Sequence, residues 1–348
     1  MKKQIFILLL AIFASVTAFG QMKAGSVPQP LSGCTTDATH PLAGVPYNYA
    51  VTVAPTGGNF QWWATKDYNF ITSTAGVPSN NMATTKLTVG ADLLAADSNY
   101  GTTGSLDNVN ITWSSATLAG TTPGSPTFVA VQYDGVSPAC ANNLKVYQIT
   151  PVNGFTVDIK NMDQTKAPLA YSAAYSFCAS NIASAVYDPG TKAIVTNYGS
   201  NDLYFEVVAA NFTGGYTPSF QVSGLAGGQT VTSLNLYTDA AMATTAIATT
   251  LAAGAYSTSA PVTVDPSVTN TTTGVSLYVK LTIANGTHEN LTGDPITLAV
   301  NGTNTAGQKD VVNSDCSTQT DFEDTATQTI TARPTVTSVP ATGVFVTP

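Results

Sequence analysis

Four cysteines are the residues of this sequence whose type and spacing point most directly to chemistry. Cys34 and Cys140 bracket the strand-like runs of the first half of the chain, and Cys178 and Cys316 bracket those of the second half. An even number of cysteines is typical of disulfides in an oxidising compartment, and four cysteines allow three connectivities. No two of them have zinc spacing, and the chain has only 2 histidines. We therefore predict the disulfides Cys34–Cys140 and Cys178–Cys316.

Residues for acid, base or nucleophilic catalysis are few. His40 precedes a proline and His288 lies in the polar loop NGTHENLTG, and neither has a Ser-His-Asp or Cys-His context. A glycosidase needs two carboxyl groups roughly 5–10 Å apart. Glu206 alternates with apolar residues in DLYFEVVA, which predicts a solvated strand face, and Glu289 lies in a turn. We predict that the chain is not an enzyme.

The densest acidic cluster is the stretch NSDCSTQTDFED, which contains Asp315, Asp321, Glu323 and Asp324. Calcium takes six to eight oxygen ligands, and acidic loops can supply them. The spacing matches no EF-hand, so the alternative is a solvated loop that leads into the last strand. A calcium site here is the one cofactor hypothesis that the residues support.

Three tryptophans raise the question of sugar binding. Trp62 and Trp63 are adjacent in a strand-like run, so their rings must point to opposite faces. One ring is then expected in the core and the other at least partly exposed, where it could stack on a glycan. Trp113 continues the apolar face of Val109 and Ile111 and is expected in the core.

The amino terminus has the pattern of a signal peptide. Lys2 and Lys3 precede an apolar run at residues 5–19, and small residues at 18 and 20 suit cleavage before Gln21. The run is shorter than the roughly 20 residues of a membrane-spanning helix, so we do not predict an integral membrane protein. The stretch Leu31-Ser32-Gly33-Cys34 also matches a lipobox, although polar residues separate it from the apolar run.

The composition narrows the class of partner. Charged residues make up 9% of the chain, against roughly 25% in ordinary soluble proteins. When Lys2 and Lys3 leave with the signal, 10 of the 12 basic residues remain against 20 acidic ones, a net charge of −10. This balance excludes nucleic acid and anionic membranes as expected partners. With 43% apolar residues, 15 Tyr and 13 Phe, the chain is expected to fold.

Alternation of apolar and polar residues recurs through both halves and predicts short antiparallel strands. The clearest case is VSLYVKLTI, with Val275, Leu277, Val279, Leu281 and Ile283 on one face. We predict an all-β chain with two tandem antiparallel β-sandwiches after a cleaved signal peptide. The expected boundaries are 1–20 for the signal, 21–152 and 153–335 for the sandwiches, and 336–348 for a carboxy-terminal tail or edge strand.

Residues 30–150 carry a recognisable order of motifs. A leading Cys is followed by YNYAVTV, FQWWAT, KLTVG, NVNITW, FVAVQY and a second Cys before NLKVYQI. This order resembles the PKD-like and immunoglobulin-like sandwiches of bacterial surface proteins, while the second half matches only in its Cys placement and closing strand. The resemblance implies a spacer, adhesive or assembly module without an active site.

Two hypotheses about function follow. The first is a structural or assembly protein, secreted or at the cell surface of a Gram-negative bacterium, that associates with itself or with other surface proteins. The second is an adhesin module that binds glycans or a host surface. The apolar triplet Val344–Val346 near the carboxyl end predicts a segment that pairs with a sheet edge, its own or a neighbour's.

Overall fold

The computed structural model of this chain describes residues 21–136, 142–314, 316 and 321–336. Nearly every regular element in these ranges is a strand, which confirms the all-β prediction. Helix is limited to α1 (Met82–Thr85), α2 (Ser115–Ala119) and a 3-10 turn at Thr271–Thr273. In the described part of the chain, no helix is long and apolar enough to cross a membrane. The predicted signal peptide lies outside the described residues.

The first half contributes ten strands. They are β1 (Gln21–Ala24), β2 (Pro46–Ala50), β3 (Asn59–Thr65), β4 (Ile71–Thr74), β5 (Val77–Asn80), β6 (Leu93–Ala96), β7 (Thr103–Gly104), β8 (Asn108–Trp113), β9 (Thr127–Asp134) and β10 (Asn142–Ile149).

Strands β2 to β10 form what we term the first sandwich. One antiparallel sheet has the order β2-β8-β6, the other has the order β10-β9-β3-β7, and β4 and β5 form a separate hairpin. Strand β8 shows why the sequence folds this way, because Val109, Ile111 and Trp113 are fully buried while the residues between them are not. The predicted core position of Trp113 is therefore confirmed.

The second half contributes thirteen strands. They are β11 (Thr156–Met162), β12 (Tyr175–Cys178), β13 (Ser184–Asp188), β14 (Ala193–Asn197), β15 (Ser200–Ala210), β16 (Gly215–Ser223), β17 (Thr230–Tyr237), β18 (Ile247–Ala252), β19 (Ala255–Thr258), β20 (Val262–Val264), β21 (Val275–Ala284), β22 (Asp294–Asn304) and β23 (Asp324–Thr331).

What we term the second sandwich consists of these strands together with β1, except β13 and β14, which form a separate hairpin. One layer has the order β11-β15-β21-β17, and the other has the order β19-β16-β22-β23-β12. The predicted inward face of β21 is confirmed, since Val275, Leu277, Val279, Leu281 and Ile283 are all fully buried. The two layers are joined at one seam by β18, which pairs with both β17 and β19.

The other seam of the second sandwich is closed by β1. Gln21 and Met22 pair in parallel with β20, and Lys23 and Ala24 pair antiparallel with β21. The prediction that residues 21–152 form one sandwich is therefore wrong at its amino end. A strand of four residues is too short to be recognised from alternation of apolar and polar residues. Its pairing partners also lie more than 200 positions away in the chain.

The two sandwiches meet through loops. Thr213, which follows β15, exchanges two hydrogen bonds with Ser115 at the start of α2: Ser115 N donates to Thr213 Oγ1 at 3.0 Å, and Thr213 N donates to Ser115 Oγ at 2.9 Å. The chain crosses between the sandwiches near Pro151, after β10. That this point separates two independent domains stays a prediction.

Candidate functional site

The disulfide connectivity differs from the predicted one. Cys34 is bonded to Cys316, with 5.7 Å between their Cα atoms, so the pairings Cys34–Cys140 and Cys178–Cys316 are wrong. The predicted pairing fails because of the tertiary structure: the residues before Cys34 lie on the second sandwich rather than on the first. Cys178 is exposed at the end of β12 and has no disulfide partner among the described residues. Cys140 lies outside the described residues.

We call residues 21–34, which run from β1 to this disulfide, the strap. Its β1 part is anchored by Met22, which is fully buried in the core of the second sandwich. The carbonyl of Met22 accepts a hydrogen bond from Asp265 N at 2.8 Å, and Gly25 N donates to Gly274 O at 3.2 Å. Burying a methionine side chain contributes roughly 1.5–3 kcal/mol. The strap is therefore an integral part of the second sandwich.

Beyond β1 the strap covers a buried ion pair. Lys160 of β11 and Glu206 of β15 are cross-strand partners, with 3.2 Å between Nζ and Oε2. Ser26 of the strap donates its hydroxyl to Glu206 Oε2 at 2.7 Å, and Ser276 of β21 donates to Oε1 at 2.6 Å. Lys160 in turn donates to Ser26 Oγ at 2.6 Å. The charges are paired and hydrogen-bonded, which is what burial of charge requires.

This arrangement corrects the prediction for Glu206. Alternation correctly placed its side chain on the face opposite Leu203 and Phe205, but that face is not solvated, because the strap lies over it. The side chain of Glu206 is 1% exposed. Sequence reasoning missed the strap as a structural element, and no local pattern in residues 21–34 signals it.

A second buried carboxylate holds the far end of the strap. Asp158 of β11 accepts hydrogen bonds from Gln29 N at 3.1 Å, Gln29 Nε2 at 2.9 Å and Asn313 Nδ2 at 2.5 Å. Burial raises the pKa of Asp158, and these donors oppose that rise. Ser32 N also donates to the carbonyl of Asn313 at 2.6 Å. The strap and the segment before Cys316 are thus held together next to the disulfide.

Of the acidic residues considered for calcium, the three that the structure describes, Asp321, Glu323 and Asp324, are not brought together into a ligand set. Asp321 is exposed and bonds to Asn301 Nδ2 at 2.8 Å and to Lys309 Nζ at 3.3 Å. Burial, followed by the nearby charges of Asp158 and Asp310, raises the pKa of Asp324 to about 7. Within the described ranges, no three acidic, histidine or cysteine side chains are grouped as a metal ion would need. Asp315 lies outside these ranges, so calcium binding by Asp315, Asp321, Glu323 and Asp324 stays a prediction.

Each histidine contacts a neighbouring aspartate through one ring nitrogen. His40 bonds to Asp37 at 3.0 Å and to Thr39 Oγ1 at 3.2 Å, and both contacts use the same ring nitrogen, Nδ1. In a Ser-His-Asp arrangement the other ring nitrogen contacts the nucleophile, and among the described residues Nε2 of His40 has no hydrogen-bond partner. Nε2 of His288 lies 2.9 Å from Asp294 Oδ2, which Gln229 also contacts. Both histidines are accounted for by local structure.

The two adjacent tryptophans point to opposite faces, as expected, yet both are fully buried. Trp62 lies between the sheets of the first sandwich, where its Nε1 donates to Leu106 O at 3.2 Å. Trp63 faces outward and donates from Nε1 to Asn81 Oδ1 at 3.1 Å. The segment after β5 covers it, so the prediction of a partly exposed ring is wrong. Neither Trp62 nor Trp63 therefore exposes a ring face on which a glycan could stack.

The solved structures that match this chain are distant from it. The N-terminal domain of PorA matches with a TM-score of 0.24 and 12% identity, over 51% of this chain and 98% of that one. CaCohA2 from Clostridium acetobutylicum matches with a TM-score of 0.26 and 11% identity, over 51% and 92%. The full-length major pilin SpaD from Corynebacterium diphtheriae matches with a TM-score of 0.25 and 9% identity, over 88% and 64%.

Likeness at this level carries no argument about function. No family model and no curated protein matches the chain. The resemblance of residues 30–150 to PKD-like domains therefore stays a prediction, while the sandwich architecture itself is observed.

Proposed function

We propose that this chain is a non-enzymatic structural protein, secreted or held at the surface of a Gram-negative bacterium, whose fold resists extension by force. The observation that carries the proposal is the Cys34–Cys316 disulfide at the end of the docked strap. A role in which the protein transmits tension between neighbours explains why the strap is joined covalently to the second sandwich.

The position of the disulfide in the chain determines which residues an external force can extend. Cys34 and Cys316 are separated by 282 positions, and this covalent loop contains the whole first sandwich and most of the second. A pull on residues 21 and 336 reaches the disulfide after it has drawn out only the strap and β23. Once the strap and β23 have been drawn out, the intact disulfide carries the tension and the residues inside the loop bear none.

The surface composition agrees with a structural role. With 9% charged residues, neighbouring copies repel one another weakly, and long-range steering of a charged ligand is not favoured. The alternative, a module that binds glycans or a host surface, has less support because the rings of Trp62 and Trp63 are both buried.

Stretching single molecules by residues 21 and 336 tests the proposal. With the disulfide intact, only residues 21–33 and 317–336 can extend, by roughly 110 Å at about 3.5 Å per residue. Reduction should release a further length of roughly 1,000 Å from the 282 positions of the loop. All proteins should carry Cys178→Ser to prevent exchange with the exposed thiol.

The matched control is the double variant Cys34→Ser, Cys316→Ser, which should extend like the reduced protein without added reductant. If the oxidised protein and the double variant release the same length, the disulfide does not shield the loop and the proposal is wrong.

A further inference from the structure

An open cleft lies beside β10 of the first sandwich. Its volume is about 650 Å³, and its lining includes residues 51–55, Val131 and Tyr133 of β9, and Leu144 and Tyr147 of β10. Val131 and Tyr133 are buried and Val51 and Val53 are half-buried, so apolar side chains line part of the cleft. Lys145 is the one charged residue in the lining.

On the side of the cleft, the backbone of β10 has no strand partner in the part of the chain that the structure describes. All eight residues of β10 pair with β9, and within the described ranges no strand pairs with the opposite edge of β10. Residues 51–55 approach this edge without forming a strand, because Val51 N donates instead to Asp107 O at 2.9 Å. A free edge next to apolar side chains is the arrangement to which an extended segment can add as a further strand.

The cleft lies at the end of the first sandwich that is remote from the second. Strand β10 runs towards the junction, since its last residue, Ile149, is followed by the crossing near Pro151. Its first residue, Asn142, and residues 51–55 at the end of β2 are therefore at the opposite end. The cleft opens at this outer end of the first sandwich.

The chain leaves the second sandwich at the other extreme of the molecule. The junction end of β22 is Asn304, because Thr305 Oγ1 contacts Thr213 O at 3.4 Å. Strand β23 runs away from the junction, since Ile330 pairs with Asp294 at the start of β22. Arg333 N then donates to Asn290 O at this outer end. Residues 337–348, which lie outside the described residues, follow from here.

The length of the segment after residue 336 determines whether it can contact the β10 edge of its own chain or only that of a second copy. Strand β22 has 11 residues and spans about 36 Å at about 3.3 Å each, which is the length of the second sandwich alone. From residue 336 to residue 344 the chain spans at most roughly 28 Å. The apolar triplet at residues 344–346 therefore falls short of the β10 edge of its own chain, which lies beyond the junction.

We propose that residues 343–347 of one copy add as a strand to the free edge of β10 in a second copy. In the proposed register Phe345 faces the cleft, and alternation then puts Val344 and Val346 on the other face of the sheet, which carries Val146 of β10. Residues 334–348 carry no charge, so Lys145 meets no like charge. Because the cleft and the point where residue 336 leaves the second sandwich lie at opposite ends, the contact is head-to-tail and repeats into a ring or an open chain.

This inference rests on the proposed structural function and names its partner, a further copy of the same chain. Photo-cross-linking tests it with Phe345 replaced by benzoylphenylalanine in the chain from residue 21 to residue 348. Equal amounts of ¹⁵N-labelled and unlabelled protein are mixed before irradiation, so that cross-links between copies carry both isotope patterns. We expect mixed-isotope cross-links from position 345 to residues 50–55 or 142–147.

The matched control carries the same photoreactive residue at Val336, which is exposed and outside the docking segment. It should give no cross-link to the cleft. Deletion of residues 337–348 should abolish concentration-dependent light scattering and leave thermal unfolding unchanged. The peptide SVPATGVFVTP should then bind the truncated protein saturably, and the same peptide with Phe345→Asp should bind at least tenfold more weakly.

The inference is overturned if cross-links form only within one chain, form elsewhere or are absent, if the truncated protein still assembles, or if the peptide does not bind. None of these results alters the stretching of single molecules, which depends on the disulfide alone. The stretching experiment in turn does not require assembly, so failure of either idea can be told from failure of the other.

Discussion

Two ion pairs of the second sandwich, one buried and one at the surface, show how strongly burial changes what a charged residue contributes. The Lys160–Glu206 pair lies beneath the strap, with side chains 9% and 1% exposed. The Lys280–Asp202 pair on the same layer has a shorter separation, 2.8 Å, but its side chains are 32% and 34% exposed. Solvent screens the exposed pair, whereas removal of one buried partner leaves an uncompensated charge.

We therefore expect Glu206→Ala to lower the free energy of unfolding of the second sandwich by about 3–5 kcal/mol. The control Asp202→Ala, which leaves Lys280 in contact with water, should cost about 0–1 kcal/mol. Urea unfolding followed by far-ultraviolet circular dichroism measures both. Equal losses in the two variants would contradict the shielding of Glu206 by the strap.

Among the strands, β1 is short, but it is the described strand that lies between β20 and β21. It pairs with β20 on one side and β21 on the other, and so joins the two layers of the second sandwich at their seam. Without it the facing edges of both strands would lose their backbone partners, and buried backbone groups without partners are costly. The stability of the second sandwich should therefore depend on residues at the start of the described chain.

The side chains of β1 give a matched test. Met22→Ala should destabilise the second sandwich by about 2–5 kcal/mol, because Met22 is fully buried in its core. Lys23→Ala, on the exposed neighbour in the same strand, should change stability by less than about 0.5 kcal/mol. Hydrogen exchange of β20 and β21 amides reports the seam directly. Unchanged protection in Met22→Ala would show that β1 does not hold the seam closed.

For the molecule as a whole, tryptophan fluorescence can distinguish the unfolding of one sandwich from that of the other. All 3 tryptophans, Trp62, Trp63 and Trp113, belong to the first sandwich, so tryptophan emission reports its unfolding alone. The recorded contacts between the sandwiches are loop contacts such as Ser115–Thr213, and each sandwich has its own buried core. This organisation favours two units that unfold separately.

A fragment of residues 36–152 should therefore fold by itself and show the tryptophan emission and melting temperature of the first sandwich in the whole chain. A fragment of residues 153–336 lacks the strap and should melt at a lower temperature than the second sandwich of the whole chain. Dispersion of amide proton signals tests the folding of each fragment. A collapsed, random-coil spectrum for residues 36–152 would show that the boundary near Pro151 is misplaced.

The sequence by itself determined the features that depend on neighbouring residues. Alternation located β8 and β21 and assigned their buried faces correctly, because successive side chains of a strand point to opposite sides. The scarcity of histidines and the lack of a paired-carboxylate context argued against catalysis from composition alone. The all-β class followed from the repetition of such strands.

Only the tertiary structure decided which faces and cysteines meet. Glu206 and Trp63 point outward, as alternation indicates, but distant segments cover them, and cover is a property of three-dimensional packing. Cys34 pairs with Cys316 because the strap crosses to the second sandwich, whereas bracketing in the sequence had suggested Cys140. The burial of Glu206, the burial of Trp63 and the Cys34–Cys316 disulfide share one physical reason. Each depends on contacts between residues far apart in the chain, and such contacts produce no local periodicity in the sequence.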